Sequence, residues 1–130
     1  MTFRFVEAEN APVPMGPYSS AVTFGDICVT AGQLPIDPAT GEIVDGGIVE
    51  QTRQTIKNLD GVLQAAGLSL KEVVKLTVFL RNMDDLVPVA GVRREFWSDP
   101  HPVSTTVECS RLANPKAVVE IDVMAVANRS

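Results

Sequence analysis

The period of hydrophobicity along this chain changes at about Gly47, and that change limits what the chain can fold into. Before it, short apolar runs at Phe3–Val6, Ala21–Phe24 and Ile27–Ala31 have strand propensity. Gly25–Asp26 separates the last two as a hairpin turn. After it, Ile48, Thr52, Ile56, Leu59, Val62/Leu63 and Ala66 recur at helical spacing, with Glu50, Arg53, Lys57, Asp60 and Gln64 on the opposite face. Gly67 stands where a left-handed residue ends a helix. Val73–Leu80 returns to a β-branched, strand-like run. A second helix follows, capped by Asn82 or Asp84, with Pro88 in its first turn and Phe96–Trp97 closing it. Pro100-His-Pro102 stops it. Val103–Cys109 and Val118–Ala127 read as two more strands, the last alternating Val119, Ile121 and Val123 against Glu120, Asp122 and Met124.

The order β-β-β-α-β-α-β-β predicts an α+β fold, a mixed six-stranded sheet with two helices packed on one face. So many apolar strand residues in a small chain predict that another subunit covers the second face. Asn10–Pro17 is too rich in proline to be helical, and Gln33–Gly41 carries two prolines and a terminal glycine, the marks of a loop. At 130 residues the expectation is one domain, 1–130, with a core large enough to fold without staples.

Eleven Lys+Arg against sixteen Asp+Glu leave a net charge of −5, which opposes binding to nucleic acid or to an anionic membrane surface. Two cysteines and one histidine are too few for a four-ligand structural zinc site, so no metal is expected. Cys28 and Cys109 lie in apolar runs and are expected as buried free thiols, although the sequence leaves a disulfide between them open. The first ten residues contain no apolar run of signal-peptide length, and no stretch approaches the ~20 apolar residues that span a bilayer. A cytoplasmic protein is expected.

The familiar catalytic motifs are missing: there is no G-x-S-x-G, P-loop, G-x-G-x-x-G or C-x-x-C. His101, between two prolines, reads as a loop residue, and Asp84–Asp85 as helix capping. Arg93–Arg94 is most simply a solvated face; the alternative is a guanidinium fork for a carboxylate ligand, and the same two readings apply to Arg111. Periodicity alone favours a solvated strand face for Glu120. The functional alternative is a carboxylate in a pocket, raised in pKa by desolvation and used to hold or activate water. Tyr18, the one tyrosine, follows a rigid Gly-Pro turn that fixes its ring as packing or as a pocket wall with a hydroxyl.

Asn10-Ala-Pro12, Gly16-Pro-Tyr-Ser19, Ala31-Gly-Gln-Leu-Pro35, Asp37-Pro-x-x-Gly41, Gln51-Thr-x-Gln-x-x-x-Asn58-Leu and Ala66-Gly67 follow one another along the chain. Val74-Lys-Leu-Thr-Val-Phe79, Asp84-Asp-Leu and Val119-Glu-Ile121 complete the series. Together, over nearly the whole length, they resemble the YjgF/RidA family. The resemblance implies a chorismate-mutase-like fold and a homotrimer whose sheets pack around the threefold axis, with clefts between subunits that hold small carboxylate ligands. It implies hydrolysis of 2-imino or 2-enamino acids to 2-keto acids and ammonia, with no cofactor. Other members of the family are described as translation inhibitors with ribonuclease activity, or as chaperones.

Carried over residue by residue, Tyr18 matches the pocket tyrosine, Gly32 the cleft glycine and Glu120 the acid that positions water. Thr106 falls where the family has a cysteine or small residue whose backbone N–H contacts the ligand. Ala31 replaces a frequent serine, and Ala90 stands where asparagine is common. The main departure is Pro102-Val-Ser-Thr-Thr-Val107, where deaminating members read Pro-Ala-Arg-Ser and the arginine clamps the substrate carboxylate. Here Ser104 takes that place. Charge-assisted bonds are worth ~1.5–3 kcal/mol each, and losing ~3 kcal/mol of transition-state binding costs on the order of 10²-fold in rate. The loop before this strand is shortened, and Leu112-Ala-Asn-Pro115 is longer than the usual Leu-Pro turn.

Three functions follow from the resemblance. The favoured one is an imine or enamine hydrolase with altered specificity, in which Glu120 and Tyr18 are catalytic and Gly32, Ala31, Ser104, Thr106 and Ala90 bind substrate. A variant has Arg93, Arg94 or His101 of a neighbouring subunit replace the missing arginine, although nothing in the sequence points those side chains inward. The second is a non-catalytic trimer that binds a small ligand. The third, ribonuclease or translation inhibitor, is opposed by the net charge.

Overall fold

The computed structural model describes residues 2–128; the remaining positions of the expected 1–130 domain lie outside the described residues. Six strands, β1 (Phe3–Val6), β2 (Ala21–Phe24), β3 (Ile27–Thr30), β4 (Val73–Leu80), β5 (Val103–Glu108) and β6 (Val119–Val126), form one mixed sheet in the order β1-β2-β3-β6-β4-β5. All neighbours are antiparallel except β4 and β5. A parallel pair needs a crossover, and the second helix, α2 (Leu86–Arg93), supplies it. The first, α1 (Ile48–Ala65), lies across β6 and beside α2. This is the α+β architecture that the alternating periods predict, with both helices on one face.

Between helices and sheet, Ile56, Leu59, Val62 and Leu63 meet Leu76, Val78 and Leu80 of β4 and Val119, Ile121 and Val123 of β6. Both ends of α1 follow from its sequence. The Glu50 carboxylate reaches back to accept the Gly47 N–H at 2.9 Å. At the other end Gly67 takes φ +82°, while Leu68 N donates to Leu63 O at 2.8 Å and Gly67 N to Gln64 O at 3.0 Å. That pair of bonds closes the helix in a Schellman turn.

Periodicity placed Thr52 on the inner face of α1 but missed Gln51, Thr55 and Asn58, all of which are buried. Two of these polar side chains hold loops. Gln51 donates to Lys116 O at 3.0 Å and accepts from Val118 N at 2.8 Å. Asn58 donates to Leu34 O and Ile36 O at 3.0 and 2.8 Å and accepts from Gln54 at 2.9 Å. Replacing the buried Asn58 by Ala leaves those two carbonyls without this donor. It is expected to lower unfolding free energy by about 1–3 kcal/mol, read as a shift in denaturant midpoint at unchanged slope.

The second helix is shorter than its sequence pattern predicts: it ends at Arg93, and Phe96–Trp97 lie beyond it. The following N–H groups turn back in tight bonds, Glu95 N to Val92 O and Phe96 N to Arg93 O. Trp97 keeps its backbone N–H on Arg93 O at 3.0 Å and sends its indole N–H to Leu70 O at 2.8 Å, which satisfies that donor as the ring becomes buried. At its start, the Asn82 side chain accepts from Asp84 N at 2.9 Å and caps a single 3₁₀ turn, Met83–Asp85, that leads into α2. Cys28 is buried and Cys109 only half-buried, against the expectation of two buried thiols; both are free. No helix among the described residues is long and apolar enough to cross a membrane.

The sheet face away from the helices is bare. Register places Phe3, Phe5, Val103, Val107 and Met124 on it, with Phe5 68% and Val103 66% exposed.

Candidate functional site

Leaving β3, the chain runs through Ala31 and Gly32 to Gln33, whose backbone pairs with Ile121 through N–H to O bonds of 2.8 and 3.2 Å. That single bridge lays Gly32 beside Glu120. A Cβ added to Gly32 would stand 2.9 Å from the Glu120 Cδ, so the close approach requires glycine. Asn58 fixes the chain just beyond this point, at Leu34 and Ile36, and Gln51 fixes Lys116 and Val118 just ahead of Glu120.

Glu120 itself is half-buried rather than solvated. Burial pushes its carboxyl pKa upward, and the Asp122 charge adds to the rise. The ionised form of such a group is a stronger base than an ordinary carboxylate. It also leaves a trace in stability. With the folded pKa raised, native protein holds the proton more tightly than unfolded protein. Stability contributed by this group is therefore lost as pH rises from the ordinary carboxyl range through the raised value. Melting temperatures of wild type and Glu120→Gln, followed over about pH 4 to 7, are expected to converge at the acid end and diverge upward in favour of the variant.

Tyr18 and Gly32 line one small hollow of about 80 Å³, walled by Pro12, Met15 and Leu34. The Tyr18 ring leans on Gly16 and is 52% exposed, and its hydroxyl accepts a long bond of 3.4 Å from Met15 N. Tyr18, Ala31, Gly32 and Glu120 therefore gather in one region, and the pairing of Glu120 with Phe79 puts its side chain on the bare sheet face.

The other expected residues lie elsewhere. Ser104 and Thr106 pair with Leu76 and Val78, which places them on the helix-side face of edge strand β5. Ala90 lines a cavity of about 220 Å³ between α2 and the 101–102 segment, shared with Arg93, Arg94, Trp97, His101 and Pro102. Arg93 is not on a solvated face: it is half-buried, and its Nη1 donates to Ser104 Oγ at 3.0 Å. Arg94 and His101 are exposed at the cavity rim. One chain thus carries two separated groups, Tyr18–Ala31–Gly32–Glu120 and Ala90–Ser104–Thr106.

Sequence reasoning missed Gln51 and Asn58 as the residues that hold both backbone segments of the first group. The signal was a seven-residue spacing of amides along the buried side of α1.

A mixed sheet covered by helices on one side, with a glycine-backed carboxylate on the other, defines the class as α+β with its candidate carboxylate on the open sheet face. The profile of the family described as endoribonuclease L-PSP matches residues 8–127. A RutC family protein of Pyrococcus horikoshii is 48% identical over 119 residues, covering 92% of each chain. Among solved structures, RidA from the Antarctic bacterium Psychrobacter superposes with a TM-score of 0.92 at 32% identity, covering 95% of this chain and 99% of that one. TdcF of E. coli with bound serine gives 0.89 at 32% identity, covering 96% and 99%. The chain belongs to the YjgF/RidA family.

Proposed function

We propose that this protein is a cytoplasmic, cofactor-independent hydrolase that converts a reactive imine or enamine to the keto compound and ammonia. The observation that carries this reading is Glu120, half-buried, raised in pKa and pressed against Gly32. As a water oxygen adds to the C=N carbon, the Glu120 carboxylate takes its proton and the nitrogen gains one from solvent. The carbinolamine then collapses: Glu120 gives its proton to the amine nitrogen, the hydroxyl proton passes to solvent, the C=O bond forms and the C–N bond breaks. The protonated nitrogen leaves as ammonia. In this scheme Tyr18 walls the site, the backbone at Ala31 and Gly32 allows close approach, the Thr106 N–H and Ser104 orient the substrate, and Ala90 leaves room for it.

The two groups sit on opposite faces of the sheet in one chain, so a second copy must bring them together. We place the site in clefts of a homotrimer assembled through the bare face, where exposed Phe3, Phe5 and Val103 need cover. The serine bound to the related TdcF supports an amino-acid-like ligand. Ser104, which has no charge to offer, favours a second reading, a trimer that binds such a ligand without turning it over. The net charge of −5 gives no support to ribonuclease action.

The test is hydrolysis of 2-iminobutyrate generated in situ, with semicarbazide competing for the imine. Under the hydrolase reading the protein depresses semicarbazone formation and accelerates release of the keto acid. If folded protein leaves both rates unchanged for 2-iminobutyrate and for other imines, the binding-only reading stands instead.

A further inference from the structure

The cavity between α2 and the start of β5 has an unusual balance. Two guanidinium groups and an imidazole line it, from Arg93, Arg94 and His101, and no carboxylate does. Arg93 is the fixed member. Its side chain is half-buried, burial pulls its pKa down from the ordinary value, and no nearby charge offsets that cost. Among the described residues its hydrogen-bond partner is a neutral hydroxyl, Ser104 Oγ at 3.0 Å, and it forms no ion pair. By contrast, Arg53 on α1 meets Glu95 through two bonds of 2.9 and 2.7 Å. A guanidinium presents five N–H donors and stays charged, so the single bond to Ser104 leaves most of the donor capacity of this cavity-lining arginine unused by the described residues.

We infer that this cavity is an anion site for a small organic carboxylate, held by Arg93. Ser104 sets the guanidinium in place by accepting one N–H, leaving the rest of the fork for a bidentate pair. The remaining wall is apolar, from Ala90, Trp97 and Pro102, which suits the carbon skeleton of an organic acid better than a fully hydrated inorganic anion. The inference deepens the proposed function by naming the group that holds the substrate carboxylate. It rests on that reading only for the choice of probe, and its test reads binding rather than turnover, so the two fail separately.

The experiment is an NMR titration of the intact protein with 2-oxobutyrate and, separately, with its uncharged amide. The acid is expected to bind and the amide not to. Arg93→Ala is expected to raise Kd for the acid roughly 10- to 100-fold, the worth of a lost charge-assisted pair. Should that variant fail to fold, Arg93→Gln, which keeps donors for Ser104, carries the same expectation. Wild-type protein that binds no acid, binds acid and amide alike, or keeps its affinity when Arg93 is replaced overturns the inference. Inorganic phosphate competing as well as the acid overturns it too.

Discussion

Glu120→Gln is expected to lower imine turnover roughly 10²- to 10⁴-fold, the span of general acid–base catalysis by a positioned side chain. Assembly should survive, because the amide has the shape of the carboxyl and the half-buried site penalises charge rather than rewarding it. Glutamine keeps the hydrogen bonds to water and removes the base. KM should therefore change little while kcat falls, the pattern of an interaction made in the transition state. Steady-state kinetics with the in-situ imine assay read both constants. A variant with unchanged kcat would remove Glu120 from the chemistry.

The second large effect is expected at Gly32. An added methyl there would meet the Glu120 carboxylate, and the contact is with the far end of a flexible side chain, so the backbone can stay while the carboxylate gives way. Gly32→Ala is expected to cost on the order of 10²-fold in kcat, since a displacement of about 1 Å in a reacting group suffices for that. Its melting temperature should stay close to that of wild type. Loss of activity accompanied by a collapse in stability would mean that Gly32 serves the fold and not the carboxylate.

The parts of the fold that were legible in the sequence are those set by side-chain period alone. The bounds of β1 and β4 match their apolar runs, and the alternation of Val119, Ile121 and Val123 against Glu120 and Asp122 separates the two faces of β6 as observed. The end of α2 was not legible: past Arg93 the N–H groups of Glu95 and Phe96 turn back to carbonyls three residues earlier, and the Trp97 indole is held by an acceptor 27 positions away. Nor was the burial of Gln51, Thr55 and Asn58: a polar side chain reads as solvent-facing until a loop carbonyl is known to lie against it.

The candidate site was legible as a set of residues but not as an arrangement. Gly32 and Glu120 lie 88 positions apart and meet through one backbone bridge between Gln33 and Ile121. Periodicity could place Glu120 on the outer strand face, and that face is only half open to water at this point. Ser104 showed in the sequence as the lack of a charge. The guanidinium beside it comes from α2, eleven residues earlier, through a contact that no local pattern encodes.

A site shared between two subunits is the claim on which the rest depends, and mixing two disabled proteins tests it most directly. Glu120→Gln disables one group, while Ala90→Phe fills the cavity beside the other without touching the first. Each variant alone is expected to be nearly inactive on 2-iminobutyrate. Trimers assembled from an equal mixture should recover about a quarter of wild-type activity, the share of clefts that draw both intact halves from different subunits. Recovery near that level supports the shared cleft, and a mixture no more active than its parents contradicts it.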